Sequence, residues 1–257
     1  MLPPVDYDNR LHEGYAGGRA LTATAAEVWR SAFARNAQPE RPLTVLDLGC
    51  GVGRFTPVLA DLLGGPVYGV EPADQMRAVA ETENSHPAVR YLAGDAAHIP
   101  LDDDSCDLAL LFLMFHHVPD RAAATAELAR VLRPGGRVLL QSSFSGELED
   151  RRWFHYFPRA RRIEDRMFPS FDEVVAVFGA AGLVHLGTDH VECEVAPSLA
   201  AYADKLRHRA IPTFEYLEED ETAAGFAALD AAVAAEESPT PVIEPARLLR
   251  FGAASAP

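Results

Sequence analysis

An aspartate followed by three alternating glycines, Asp47-Leu-Gly49-Cys-Gly51-Val-Gly53, has the makings of a ligand-binding turn. Glycine lacks a Cβ, so the backbone at these positions can pass close to a bound group. A helix opening near Arg54 would add unpaired N–H groups behind the turn. Asp47, at the end of an apolar run, can accept from an ammonium or from loop amides. About twenty residues on, Glu71 ends a second apolar run, Val67-Tyr-Gly-Val-Glu71. A carboxylate at that place in a βαβ unit can take both hydroxyls of a ribose; the competing reading is an ordinary solvent-facing acid at a strand end. Gly94-Asp95-Ala96 closes a third run in the same way. A dinucleotide fingerprint would require glycine or alanine at position 54, and this chain has Arg54. Asp102-Asp103-Asp104 does not suggest a metal, because three consecutive side chains do not converge easily on one ion; we read a solvated turn and expect no metal site.

Positioning these groups takes alternating strands and helices. Val45–Leu48 is a short strand running into the glycine loop, Val67–Glu71 a second and Val89–Ala93 a third. Ser105 to Phe115 holds a fourth, continuously apolar as a strand covered on both faces must be. Leu132-Arg-Pro-Gly-Gly-Arg-Val-Leu-Leu-Gln141 combines a helix end, a turn and a fifth strand. Helices are expected at 56–63, 73–82 and 121–131 as parallel crossovers, and at 171–181 before a sixth strand that begins at Leu183. Leu21, Ala25, Val28, Trp29, Ala32 and Phe33 give an earlier helical stripe, broken by Gln38-Pro-Glu-Arg-Pro42. Between the sixth strand and a last one near 241–251 lie about forty alanine-rich residues. Two apolar stripes run through them, one over Leu199, Tyr202, Ala203, Leu206 and Ala210, the other over Phe226, Leu229 and Val233. We read a helical insertion there.

The combination of Asp-x-Gly-x-Gly-x-Gly, an acid after the second strand and Gly-Asp-Ala after the third resembles the class I S-adenosylmethionine (SAM)-dependent methyltransferases. The likeness covers roughly Asp6 to Leu186. Within the family it is strongest to the small-molecule branch that includes the ubiquinone and menaquinone biosynthesis enzymes and bacterial secondary-metabolite methyltransferases. It implies an α/β fold: a Rossmann-like, doubly wound seven-stranded sheet, mostly parallel with an antiparallel last strand, carrying an N-terminal helical segment and a helical insertion. We expect one domain, with 1–41 covering the cofactor, 42–195 as the SAM-binding core, 196–238 as the insertion and 239–257 as the last strand and tail. The resemblance also implies a cofactor site made by Asp47, Gly49, Cys50, Gly51, Glu71, Pro72, Met76, Asp95, Ala96 and Leu113, with Asp95 accepting from the adenine amino group and Ala96 donating a backbone N–H. Arg19, beside Tyr15, takes the place from which an N-terminal arginine would hold the methionine carboxylate; a loose tail with scattered charge is the other reading.

Methyl transfer from a sulfonium is an in-line displacement in which alignment can supply several kcal/mol, out of roughly 7–11 available to well-oriented reactions. No dedicated base is required. For a hydroxyl acceptor, His116, His117 or His155 could take the proton. Each also has a packing explanation.

The formal charge of −15 opposes nucleic acid and anionic membrane as partners, and no apolar run approaches the ~20 residues of a membrane span. The N-terminus lacks a signal-peptide pattern, and Cys50, Cys106 and Cys193 suit neither a disulfide framework nor a zinc site. A cytoplasmic enzyme acting on a small-molecule acceptor is expected. The alternative is a related fold that binds SAM without transferring methyl, as a binding module or a non-methylating catalyst. Arg151, Arg152, Arg159, Arg161, Arg162 and Arg166 follow the fifth strand. They read either as an ion-paired surface or, with Trp153, Phe154, Tyr156 and Phe157, as a lid over an anionic acceptor.

Overall fold

The computed structural model describes residues 17–253. Period-two apolar patterning builds its sheet. In β1 (Leu43–Leu48), Leu46 and Leu48 enter one apolar layer while Val45 enters the other. β4 (Cys106–Phe112) divides likewise, with Ala109 and Leu111 on one face and Leu108 and Leu110 on the opposite one. All four side chains are fully buried, which explains the unbroken apolar run of this strand. The remaining strands are β2 (Gly64–Glu71), β3 (Val89–Ala93), β5 (Leu132–Ser142), β6 (Leu183–Ala196) and β7 (Val242–Ala253).

The seven strands form one sheet in the order β3-β2-β1-β4-β5-β7-β6. β7 runs antiparallel to both of its neighbours, and the pairs among β1 to β5 are all parallel. The chain steps outward from β1 through β2 and β3, then returns to place β4 on the other side of β1. This reversal opens a crevice at the carboxyl ends of β1 and β4, where open α/β sheets bind their ligands.

Helices cover both faces: α1 (Ala23–Asn36), α2 (Thr56–Leu63), α3 (Asp74–Glu83), α4 (Arg121–Val131), α5 (Pro158–Met167), α6 (Phe171–Ala180), α7 (Leu199–Arg207) and α8 (Glu219–Ala235). Several begin where side chains cap the free amides. Thr22 Oγ1 accepts from Ala25 N at 3.0 Å, Asp120 Oδ1 from Ala123 N at 2.9 Å, and Ser170 and Glu173 form a reciprocal capping box. No described helix is long and apolar enough to cross a membrane.

A third apolar layer forms away from the sheet. Trp153, Phe154 and Phe157 pack with Tyr202, Leu206, Phe214 and Leu229, joining the segment after β5 to the expected insertion. Helix α5 was not anticipated, because its arginine-rich face hides the Ala160 and Ile163 positions that bury it. Gly225 lies in mid-helix for a packing reason: a Cβ there would stand 2.2 Å from Phe157 Cε1. The insertion is two helices joined through a short 3-10 turn at Pro212–Tyr216, and Ala210 is buried just beyond the end of α7.

Candidate functional site

The glycine loop is tied down by its own amides. Gly49 N and Cys50 N both donate to Val70 O, at 2.8 and 3.2 Å, and Gly53 N donates to Cys50 O at 3.0 Å. Gly51 N donates to Glu71 Oε2 at 2.9 Å, while Glu71 Oε1 accepts from Ala73 N at 3.0 Å. Glu71 therefore clamps the loop after β1 to the start of α3. Gly49, Gly51 and Gly53 all have positive φ, and at Gly49 a Cβ would come within 2.8 Å of Met114 Cβ.

In front of this loop lies a cavity of about 500 Å³. Of the expected cofactor residues, Gly49, Gly51, Glu71, Pro72, Met76, Asp95, Ala96 and Leu113 line it. Asp95 Oδ1 accepts from Ala97 N at 2.8 Å and His98 N at 2.9 Å, which orients a half-exposed carboxylate in the cavity wall. Leu113 has φ of +54°, unusual for a side chain of its bulk, and its N–H donates to Gln141 O at 3.0 Å.

The other expected cofactor residues lie elsewhere. Asp47 is buried beneath the loop and accepts from Thr56 Oγ1 at 2.7 Å; burial pushes its carboxyl up to about 6, against the pull of that bond. Cys50 turns its thiol toward Gly69, under the loop, where burial raises its pKa well above the ordinary thiol value. Arg19 reaches the neighbouring pocket, and Tyr15 lies outside the described residues.

The three histidines separate. His117 lines the first cavity and also a small pocket of about 30 Å³. Burial, and then the charge of Arg19, lowers its pKa to about 4, so the ring is neutral near pH 7. His116 stacks between His117 and Phe168, at centroid distances of 3.9 and 4.2 Å, and its buried Nδ1 has no hydrogen-bond partner. Burial, and then the neighbouring His117, holds His116 well below the usual range as well. His155 sits on the surface, 3.2 Å from Asp150, and lines none of these spaces.

A second pocket, of about 140 Å³, adjoins the first across Phe112 and Leu113. Arg19, Arg54, Arg151, Lys205, Glu194 and Glu244 supply its charge. Arg54 Nη1 donates to Arg19 O at 2.8 Å and its guanidinium lies over the Phe55 and Phe112 rings, which gives that residue a structural task the dinucleotide comparison did not suggest. Lys205 Nζ donates to Ala20 O and Val195 O, both at 2.9 Å, and burial together with Arg54 and Arg19 lowers its pKa to about 8. Of the six clustered arginines only Arg151 lines this pocket, and of the four aromatics only Trp153. Arg151 meets buried Glu164 at 3.2 Å and also donates to Ser143 Oγ. Arg159 pairs with Glu221 at 2.7 Å, Arg161 stands 3.8 Å from Asp150, and Arg152, Arg162 and Arg166 are exposed. Phe154 and Phe157 belong to the third apolar layer rather than to a pocket wall.

Comparison with known proteins agrees with this architecture. Residues 46–140 match the family model described as a methyltransferase domain. The chain is 28% identical over 177 residues to a demethylmenaquinone methyltransferase of Bacillus licheniformis, covering 60% of this chain and 76% of that one. It is 33% identical over 153 residues to a malonyl-[acyl-carrier protein] O-methyltransferase of Yersinia pestis, covering 58% and 56%. Three other curated relatives are matched over only 29–36% of their own length. Among solved structures, a protein of Anabaena variabilis described as a methyltransferase of an antibiotic biosynthesis pathway superposes with a TM-score of 0.69 at 21% identity, covering 89% of this chain and 99% of that one. Residues 46–140 thus carry a methyltransferase domain, and the chain as a whole shares the fold of that structure.

Proposed function

We propose that this chain transfers the methyl group of SAM to a small organic acceptor, with the cofactor in the first cavity and the acceptor entering from the second pocket. The observation that carries this reading is the state of the loop amides. Gly49, Cys50, Gly51 and Gly53 spend their N–H groups on Val70, Glu71 and the loop itself. A diphosphate would need such amides free to cradle it. Glu71 and Asp95 instead offer acceptors to the hydroxyls and amino group of a nucleoside, at the base of a cavity large enough to hold one. Pro72 and Met76 supply apolar walls for its base.

Bound there, SAM would supply an electrophilic methyl on a sulfonium. The chain's own part is alignment and exclusion of water, for which Leu113 is well placed because it lines both spaces. His117, in the wall of the first cavity, is neutral and at a pKa of about 4 a weak base, so we assign it to orientation rather than proton transfer, with the His116 ring packed against it. No DNA or RNA acceptor is proposed for a chain of charge −15.

Titration calorimetry with SAM, S-adenosylhomocysteine and NAD tests the cofactor assignment: binding of the first two without the third is expected, and NAD binding alone would overturn it. Incubation with methyl-labelled SAM and a cell extract tests transfer, since a SAM-binding protein that leaves all label on the cofactor would be a non-methylating relative.

A further inference from the structure

Building on that reading, we infer that the second pocket takes an uncharged acceptor ring whose polar groups donate one hydrogen bond and accept another, read by the side chains of Gln141 and Trp153. Strand β5 supplies the first of these. The alternation that buries Leu139 in the apolar layer shared with α1 carries Gln141 to the same face, at the strand's carboxyl end. Its cross-strand neighbours Phe112 and Leu248 pack in that layer, so packing alone would favour an apolar side chain there. Gln141 is instead 3% exposed, and its Oε1 has no hydrogen-bond partner.

Trp153 comes from the short 3-10 turn Arg152–His155 that follows β5. Its ring packs on Phe154, Phe157 and Phe214, and its buried Nε1 is likewise unpartnered. Both residues line the second pocket. Buried polar atoms are paired in the great majority of cases, so two unpaired ones in the residues of one pocket wall point to a ligand that completes them. Gln141 Oε1 requires a donor and Trp153 Nε1 an acceptor. A hydroxyl is both, and two hydroxyls on one ring divide the roles.

The cations around the pocket have partners of their own. Arg19 Nε donates to Ala210 O at 3.3 Å and Arg54 Nη1 to Arg19 O at 2.8 Å, with Asp47 adding its attraction to Arg54. Arg151 meets Glu164, and Lys205 reaches two backbone carbonyls. Recognition therefore falls to the neutral pair. The pocket's 140 Å³ is close to the roughly 150 Å³ of an apolar cavity that admits benzene, and Trp29, Phe112, Leu113 and Ile211 give it walls suited to a ring. Leu113, which lines both spaces, donates its N–H to Gln141 O at 3.0 Å, so the residue that reads the acceptor is tied to the one beside the cofactor cavity.

The protein saturated with S-adenosylhomocysteine should be titrated with phenol and hydroquinone, beside toluene and p-xylene of matched shape and benzoate as a charged comparison. At least one of the two phenols should bind about 10-fold or more tightly than its methyl analogue, and no less tightly than benzoate. Gln141→Leu and Trp153→Phe should each cut that preference to about 2-fold or less while the S-adenosylhomocysteine affinity stays at the wild-type value. Gln141→Leu is close in volume and carries the experiment if Trp153→Phe misfolds. Without any acceptor, Gln141→Leu should melt at or above the wild-type temperature, because an unpaired buried amide gives way to an apolar side chain. Equal binding of the phenols and their methyl analogues by the cofactor-loaded wild type would overturn the inference, as would tighter binding of benzoate. A lowered melting temperature in Gln141→Leu would overturn it too, by assigning the amide to the fold. Failure of the wild-type protein to bind S-adenosylhomocysteine would instead overturn the methyltransferase reading beneath it.

Discussion

The two adjoining spaces are built by opposite means. Backbone geometry shapes the first cavity: three glycines at positive φ, amides tied to Val70 and Glu71, and a leucine held at φ +54°. Side chains from widely separated segments shape the second, where Arg19, Arg151, Lys205 and Glu244 come from the N-terminal segment, the stretch after β5, helix α7 and strand β7. A backbone-built site accepts one ligand and resists change, whereas a side-chain-built site can be recast by point substitution. The proposed division between cosubstrate in the first space and acceptor in the second suits that contrast.

The sharpest way to break it is at the charge that holds the second region together. Arg151→Met would leave Glu164, only 3% exposed, without its cation and with Thr213 Oγ1 at 3.2 Å as its remaining partner. An orphaned buried charge costs about 3–5 kcal/mol. Urea unfolding should show a loss of that size, and adding Glu164→Gln should recover most of it. A single variant as stable as the wild type would mean that buried charge does not organise this region.

Next in size is a strike at the backbone of the first cavity. Gly49→Val puts a branched side chain at φ +68° and against Met114, at a cost of roughly 1–3 kcal/mol for the backbone alone and more for the collision. S-adenosylhomocysteine binding should be lost in calorimetry while circular dichroism stays native-like. Normal binding would show that the loop does not shape the site. Glu71→Ala should be milder, because the cavity remains while a ligand loses charge-assisted bonds worth roughly 1.5–3 kcal/mol; affinity should fall between about 10- and 100-fold. An unchanged affinity would remove Glu71 from the cofactor's contacts.

The same contrast governs what could be read from the chain before its folding was known. Strand β1, the glycine loop, Glu71 and Asp95 lie in consecutive βαβ units, so local patterning places them relative to one another, and the cavity-lining residues from Gly49 to Ala96 were within reach of it. Met114, Val118 and Pro119 follow β4 directly and were missed because nothing in their types announces a wall. The second pocket depends on contacts between segments far apart in sequence, for which no spacing rule exists. Neither Lys205 nor Glu244 belongs to any pattern that would single it out in the sequence. The arginine-rich stretch misled in the other direction: one of its six guanidinia enters the pocket and most of the others face solvent or pair with nearby acids. Asp47 was expected to face a ligand, but the alternation that buries Val45 beside it also carries its carboxylate beneath the loop.

Asp47 therefore gives the smallest test, and it separates support of the loop from direct ligand contact. Burial raises its carboxyl from 3.8 to about 6, so the fold favours the protonated form. The sign follows directly: its contribution to stability is fully present below pH 4 and is lost as pH rises through about 6. Near pH 7 the buried carboxylate is a liability, bounded at about 3 kcal/mol by the two-unit shift. Asp47→Asn keeps an oxygen to accept from Thr56 but forms a weaker bond, returning roughly 1 kcal/mol of that gain. The variant should accordingly be more stable than the wild type by about 2 kcal/mol or less at pH 7.5, and the difference should vanish near pH 4. Urea denaturation at both pH values measures this directly. If Asp47→Asn is instead less stable at pH 7.5, the carboxylate is balanced by Arg54 and the loop, and Asp47 anchors the first cavity through its charge after all.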